Sequence, residues 1–368
     1  MARKIGILTG GGDCPGLNAV IRAAVKVGIE RHGFEIFGIE DALNGLIDLD
    51  YQSPDGNRWL RTRDVHQILA RGGTILGTSN RSDPFRFVVK DAAGKKHETD
   101  VSDQVIANAK KLGLEGLITI GGDGSMRIAH RFLAKGLPMI GVPKTIDNDL
   151  GATDQTFGFD TAVGIAMEAI DRLRDTAESH DRVMLVEVMG RDAGWIALHA
   201  GLASGADAIL VPEIPYRLEP IAKMIERRRS QGQKYSIVVV SEGAKPAGGE
   251  ASVLEHLPGA MPRLQGAAQR VSDGLSRLLE ADMRVTVLGH VQRGGSPSSF
   301  DRILGTRFGH AAADLAAAGT WDHMVALRGD DVVAIPIVEA IREPKRVAPD
   351  CQLVATARAL GVVFGDES

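Results

Sequence analysis

Two aspartates, Asp147 and Asp149, stand two residues apart in Pro143-Lys144-Thr145-Ile146-Asp147-Asn148-Asp149, directly after an apolar run. Carboxylates at that spacing could divide two tasks, one accepting a proton from a hydroxyl and one reaching a metal ion. Phosphoryl transfer asks for little beyond a base, cations and firm positioning of the transferring group. A plain turn would also use Asp-Asn-Asp, since these residues favour turns, but its place at a strand end favours chemistry. A second segment, Gly121-Gly122-Asp123-Gly124-Ser125, follows the apolar run GLITI. Its backbone could wrap donor phosphates while Asp123 holds magnesium. A third, Gly10-Gly11-Gly12-Asp13, offers backbone N–H groups and a following helix N-terminus, both suited to an anion. It has neither GxGxxG spacing nor the GK[ST] of a Walker A loop, and alone it is equally well a tight turn.

A set of cations completes the inventory: Arg182, Arg191, Arg284, and His290 with Arg293 in GHVQRGGS. Guanidinium forks match phosphate oxygens bidentately. Singly each arginine is a surface charge and His290 a hydrogen-bonded structural histidine; their clustering at strand ends points to a phosphorylated substrate.

These residues must be carried by a repeated alternation of apolar strands and amphipathic helices. The spacing predicts strands over Ile5–Thr9, Glu35–Ile39, Gly116–Ile120, Met139–Val142, Val183–Val188, Ala208–Val211, Tyr235–Val240 and Val285–Leu288. Between them it predicts a helix opened by Asp13-Cys14-Pro15 and closed by Gly33, then helices over Ser125–Lys135, Thr161–Thr176, Ala193–Ala203, Leu218–Ser230, Gln265–Ala281 and Phe300–Ala318. Repeated βα units imply parallel sheets covered by helices on both faces, with ligands beyond the strand carboxyl ends. Asp48–Gln67 and Arg81–Ser102 break the rhythm, the second as a surface hairpin around Ala93-Gly94. Ala244–Leu264 reads as a long functional or mobile loop.

The chain has 368 residues, enough for two α/β lobes, with 44% hydrophobic and 24% charged residues. Its net charge of -4 argues against nucleic-acid or membrane-surface partners. Two cysteines, Cys14 and Cys351, build neither a disulfide framework nor a CxxC site, which suggests a reducing compartment. MARKIGILTGGG enters a strand pattern at once, leaving no room for a secretory h-region, and no apolar run reaches membrane-spanning length. A cytoplasmic protein is expected. The 44 glycines exceed the roughly 26 that average usage gives, and many cluster after apolar runs, where backbone must approach a ligand closely.

The ordered set GGGDCPGLNAVIR, GGTILGTSN, GGDGS, PKTIDND, SHDRVMLVEVMGRDAGW, SEG and LGHVQRGGSPSSFDR closely resembles the 6-phosphofructokinase family over roughly residues 4–310. The resemblance implies two Rossmann-like three-layer α/β lobes with mainly parallel sheets and the active site in the cleft between them. A donor lobe would take residues 1–158 plus about 290–340, and a sugar-phosphate lobe 159–289 plus about 341–368. It implies Gly11, Arg81, Gly121, Gly122, Asp123, Gly124 and Ser125 at ATP, with magnesium on Asp123 and Asp149. Asp147 would be the base for the 1-hydroxyl of fructose 6-phosphate, with Thr145 and Arg191 at the transferring group. Thr145 and Asp147 would also touch the substrate, held besides by Met189, Gly190, Arg191, Glu242, Arg284, His290 and Arg293. Arg182 resembles an arginine supplied across a subunit boundary, which implies a homodimer or homotetramer.

The family divides between ATP and pyrophosphate donors, and Gly124 and Lys144 bear on the choice. Pyrophosphate users resembling this chain carry aspartate at the place of Gly124, where its bulk and charge would exclude the ATP α-phosphate. Lys144 is shared with pyrophosphate users, so the pattern is mixed, and the missing aspartate favours ATP. Asn80 stands where ATP-using members often have arginine, with Arg81 next to it. A pyrophosphate-dependent enzyme, another GGDG-type kinase, a dehydrogenase and a sugar-phosphate sensor are the rival readings. The dehydrogenase lacks GxGxxG and a ribose-binding acid. The basic segment that binds nucleotide effectors in regulated bacterial members reads Gln231-Gly232-Gln233-Lys234 here, two lysines short. Activity should therefore respond weakly or not at all to ADP and phosphoenolpyruvate added as effectors; a large response in a steady-state assay would refute this.

Overall fold

A computed structural model describes residues 2–51, 56–91, 94–255 and 263–367, arranged as two compact units. The first comprises Met1–Ile146, Leu150–Asp160 and Arg293–Pro344; the second comprises Asp147–Asp149, Thr161–Gln292 and Lys345–Ser368. The PKTIDND segment, expected wholly in the first lobe, is thus divided: Asp147–Asp149 counts with the second unit.

The first unit is built on a seven-stranded sheet in the order Asp331–Pro336, His323–Arg328, Met139–Pro143, Gly116–Gly121, Lys4–Thr9, Glu35–Ile39 and Arg58–Leu60. The five inner strands run parallel and both edge strands antiparallel. Inner strands are apolar because both of their faces are covered; Gly116–Gly121 is buried throughout. From Lys4–Thr9 the chain lays Glu35–Ile39 on one side and later Gly116–Gly121 on the other. That reversal is a topological switch point, where strand-end loops diverge and leave room for a ligand. Leu117, Met126, Phe132, Met139 and Met324 form part of the core beneath it.

The second unit carries a four-stranded, all-parallel sheet in the order Met283–Val287, Val183–Val188, Ser236–Ser241 and Ala208–Leu210. Its core packs Leu185, Val238 and Val240 against Ile221, Ile225, Val271 and Leu275 from the helices Leu218–Ser230 and Ala267–Leu275.

Most predicted elements are present within a few residues, and the differences have local causes. The first helix starts at Leu17, not at the proline, because Gly16 holds φ 103°; a Cβ at Gly16 would lie 2.9 Å from the Phe157 ring. The Asp123–Ala134 helix begins two residues before the expected Ser125. The helix Ser102–Leu112, the strand Arg58–Leu60, the strands His323–Arg328 and Asp331–Pro336 and the helix Gln352–Ala359 were not anticipated. The segment Ala244–Leu264 is not wholly loop, since Val253–Glu255 pairs antiparallel with Arg263–Leu264. The Arg81–Ser102 hairpin forms from Phe87–Lys90 and Lys96–Thr99, while Ala93 at its expected tip lies outside the described residues.

Helices Leu17–Glu30 and Ser299–Ala318 pack so closely that a Cβ on Gly309 would lie 2.3 Å from the Val20 carbonyl oxygen. Gly309→Ala is expected to destabilise by about 1–3 kcal/mol through overpacking, although alanine in an open helix would gain ~1 kcal/mol. Chemical denaturation would measure it, and a more stable variant would contradict the packing argument.

Candidate functional site

The turns after Lys4–Thr9 and Gly116–Gly121 are stitched together at the switch point: Gly10 N–H donates to the Ile120 carbonyl at 2.9 Å. Ser125 is wedged against both turns. A Cβ on Gly10 would lie 2.7 Å from Ser125 Oγ, which would have to rotate away, and one on Gly121 would lie 2.3 Å from Ser125 Cβ, so Gly121 demands glycine. Gly11 adopts φ +77°, in the left-handed region. Its N–H donates to the Ser79 carbonyl at 3.2 Å and its own carbonyl accepts from Thr78 Oγ1 at 2.6 Å. The GGTILGTSN segment is thereby drawn to the first turn, which puts exposed Asn80 and Arg81 beside it.

Gly122 caps the helix Asp123–Ala134 and Asp123 occupies its first turn, where the helix dipole favours negative charge. Asp123 Oδ2 accepts from Arg127 Nε at 2.8 Å, and its side chain stays 46% exposed. Among the described residues no three His, Cys, Asp or Glu side chains converge as a metal cage. Magnesium is commonly held by one or two carboxylates plus phosphate oxygens and water, so a single exposed Asp123 at a helix N-terminus fits a metal brought in with a phosphorylated ligand. A Cβ on Gly124 would meet nothing within 4 Å. Neither packing nor backbone geometry imposes glycine there, and a side chain would project into open space.

Lys144 is only 4% exposed. Its Nζ donates to the Gly12 carbonyl, and its N–H to the Gly121 carbonyl at 3.0 Å, so one residue ties both glycine turns. Arg293, expected among the sugar-phosphate ligands, belongs to this unit: Nη1 donates to the Asp13 carbonyl at 3.1 Å. The Thr145 carbonyl accepts from Thr156 Oγ1 at 2.7 Å. Burial pushes the Cys14 thiol far up, against the opposing charge of Lys144, which makes it a packing group.

In the second unit Met189, Gly190 and Arg191 follow Val183–Val188, and Glu242 follows the adjacent parallel strand Ser236–Ser241. Glu242 N–H donates to the Val188 carbonyl at 2.8 Å and Gly243 N–H to the Gly190 carbonyl at 3.1 Å. Ser241 Oγ also donates to that carbonyl, at 2.5 Å. A Cβ on Gly243 would lie 1.8 Å from the Arg191 carbonyl oxygen, so the two loops touch backbone to backbone. His290 stands exposed in the turn Gly289–Arg293 at the carboxyl end of Met283–Val287.

Arg182 and Arg284 lie elsewhere. Arg284 is in register with Met184 near the amino edge of this sheet, and Arg182 immediately precedes Val183. At ~3.3 Å per residue, Met184 and Met189 are about 16 Å apart along the strand. Asp282 collects both arginines there, accepting from Arg182 Nε at 2.7 Å and pairing with Arg284 Nη1. The Gln231–Lys234 turn is exposed, with Lys234 Nζ 3.4 Å from Asp181.

Two supporting residues escaped the sequence reading. Buried Gln292 accepts from Met189 N–H at 3.4 Å and donates to the Gly289 carbonyl at 3.1 Å, joining the Met189 loop to the His290 turn. Buried Asn18 donates to the Arg71 carbonyl at 3.0 Å and accepts from Ile75 N–H at 2.9 Å, fixing the GGTILG segment. An amide inside an otherwise apolar helix stripe is the signal for Asn18; Gln292 stands between His290 and Arg293 in GHVQRGGS, but nothing local points to its partner Met189.

A family model described as phosphofructokinase matches residues 4–316. The chain is 51% identical to an ATP-dependent 6-phosphofructokinase of Chloroflexus aggregans, over 99% of this chain and 98% of that relative. Among solved structures it is similar to a phosphofructokinase of Saccharomyces cerevisiae, with TM-score 0.77 and 30% identity over 97% of this chain and 46% of the yeast chain. The chain thus spans less than half the length of that yeast chain. It shares its fold with a pyrophosphate-dependent phosphofructokinase of Marinobacter aquaeolei, with TM-score 0.74 and 22% identity, over 94% of this chain and 86% of the other.

Burial pushes the Glu242 carboxyl up to about 7, helped by the negative charge of Asp147 and opposed by Arg191. A folded-state value above the ordinary 4.5 means that stability is lost as pH rises from about 4.5 through about 7. Glu242→Gln should therefore match the parent in thermal stability at pH 4.5 and exceed it at pH 8; a pH-independent difference would remove the buried-charge account.

Proposed function

The chain belongs to the phosphofructokinase family, and from that premise we propose that it is a cytosolic, ATP-dependent 6-phosphofructokinase. It transfers the γ-phosphoryl group of ATP to the 1-hydroxyl of fructose 6-phosphate. The observation that carries the choice of donor is the open space at Gly124 together with a Lys144 already bonded to its own Gly12 carbonyl. An aspartate at position 124 would fill the space that an α-phosphate needs; glycine leaves it free. Lys144, buried as it is, serves the turns and is compatible with either donor. The near full-length likeness to an ATP-dependent relative supports the same reading.

In this reading the Gly11 and Gly121–Ser125 backbones cradle the donor phosphates at a helix N-terminus. Asp123, with Asp149, would hold magnesium, whose chemistry is to neutralise charge on the donor's phosphoryl oxygens. Met189, Gly190, Arg191, Glu242, His290 and Arg293 orient the sugar phosphate. Asp147 accepts the proton of the 1-hydroxyl as that oxygen forms its bond to phosphorus and the bond to the ADP oxygen breaks. Thr145 and Arg191 steady the transferring group and its charge. Arg182 and Arg284, at the far edge of their sheet from Met189, are suited to serve a neighbouring copy in a homodimer or homotetramer.

An assay with fructose 6-phosphate and magnesium, supplied with ATP or pyrophosphate, tests the proposal. ATP-dependent turnover is expected, falling at least 10²-fold in Asp147→Asn and nearly abolished in Gly124→Asp. Turnover with pyrophosphate alone would overturn the donor assignment. Silence with both donors would return the chain to the class of sugar-phosphate sensors.

A further inference from the structure

We propose that Lys345, far in sequence from every motif above, is a positioning residue for phosphoryl transfer, holding the Asp147-Asn148-Asp149 turn through Asn148 and the Asp149 carbonyl. Its Nζ donates to Asn148 Oδ1 at 3.0 Å, and its N–H donates to the Asp149 carbonyl at 2.8 Å. Asn148 is 5% exposed and holds φ +51°, a left-handed conformation that asparagine adopts more readily than most L residues. The lysine grips both the side chain of this left-handed residue and the backbone that follows it.

Lys345 is anchored in turn. Its carbonyl accepts from Trp195 Nε1 at 3.0 Å, and its ammonium lies 5.7 Å from the Trp195 ring centre. Two residues on, Val347 N–H donates to Glu213 Oε1 at 2.8 Å, and the same carboxylate accepts from Gly194 N–H at 3.0 Å. Trp195 opens the helix Trp195–Ala203, four residues beyond Arg191. Residues 345–347 therefore brace the aspartate turn against the segment that carries Met189, Gly190 and Arg191, all within the second unit. A carboxylate displaced by even 1 Å loses most of its value as a base. Replacing the Lys345 side chain removes its bond to Asn148 and leaves the N–H bond to Asp149 in place, so the substitution should reduce turnover and leave substrate affinity nearly intact.

The inference rests on the reading of Asp147 as the base, and one set of kinetic measurements separates the two. Steady-state rates are compared for the parent, Asp147→Asn, Lys345→Met, Lys345→Arg, Asn148→Gly and the Lys345→Met/Asn148→Gly pair. Lys345→Met is expected to lose about 10- to 100-fold in kcat with KM for ATP and fructose 6-phosphate little changed. Lys345→Arg should recover most of the loss. Asn148→Gly, which keeps the left-handed backbone accessible but deletes the acceptor, should lose a similar factor, and the double variant no more than either single one. Parental kcat in Lys345→Met or in Asn148→Gly, fully additive losses, or a loss confined to KM would overturn the proposal. If Asp147→Asn is silent while Lys345→Met keeps the parental rate, the role of Lys345 falls and that of Asp147 stands. If Asp147→Asn is as active as the parent, both fall.

Discussion

The contact on which the first unit's site depends is steric: the Ser125 side chain fills the space in which Gly10 and Gly121 would carry a Cβ. Two parallel strands on opposite sides of a switch point end at the same level, and their turns would diverge unless something held them. The Gly10 hydrogen bond to Ile120 and the Ser125 wedge close that gap with backbone against side chain. The helix Asp123–Ala134 then starts directly after the second turn, and its N-terminus carries the positive end of the helix dipole. The fold thus joins these two turns through the absence of side chains at Gly10 and Gly121 more than through their presence.

A buried cation completes the arrangement. Lys144 bonds to Gly12 through its ammonium and to Gly121 through its N–H, and Arg293 bonds to the Asp13 carbonyl. Burying a lysine is costly unless its charge is hydrogen-bonded, and here the carbonyls of the glycine turn supply that bond. In this role Lys144 is a structural clamp between the two glycine turns.

The second unit solves a different problem. Its strand ends bring a carboxylate, Glu242, into a poorly hydrated place near Asp147 and Arg191. Hydrogen bonds from Glu242, Gly243 and Ser241 to the Val188 and Gly190 carbonyls lock the two loops together. The side chains at these ends are consequently carried by backbone that is itself hydrogen-bonded from one loop to the other, which favours a preorganised site. The opposite edge of the same sheet carries Arg182 and Arg284 on Asp282, so one short sheet offers two separate sets of cations.

The sequence by itself determined the α/β class, most inner strands and the glycine-rich turns, because buried parallel strands are apolar runs and their turns need glycine. It also named the aspartates, since their spacing after a strand is local. Short or edge elements such as Arg58–Leu60 and Asp331–Pro336 escaped because half-exposed segments carry weaker apolar patterning; the helix Ser102–Leu112 escaped although Val105, Ile106 and Ala109 give it a buried face. Only tertiary structure decided which distant residues support the site. Gln292 beside Met189, Asn18 beneath the GGTILG segment and Lys345 on Asn148 are contacts across 57 to 197 residues of sequence. No local pattern encodes such pairs; they exist only once the sheets have set their strand order and brought those backbones within hydrogen-bonding distance.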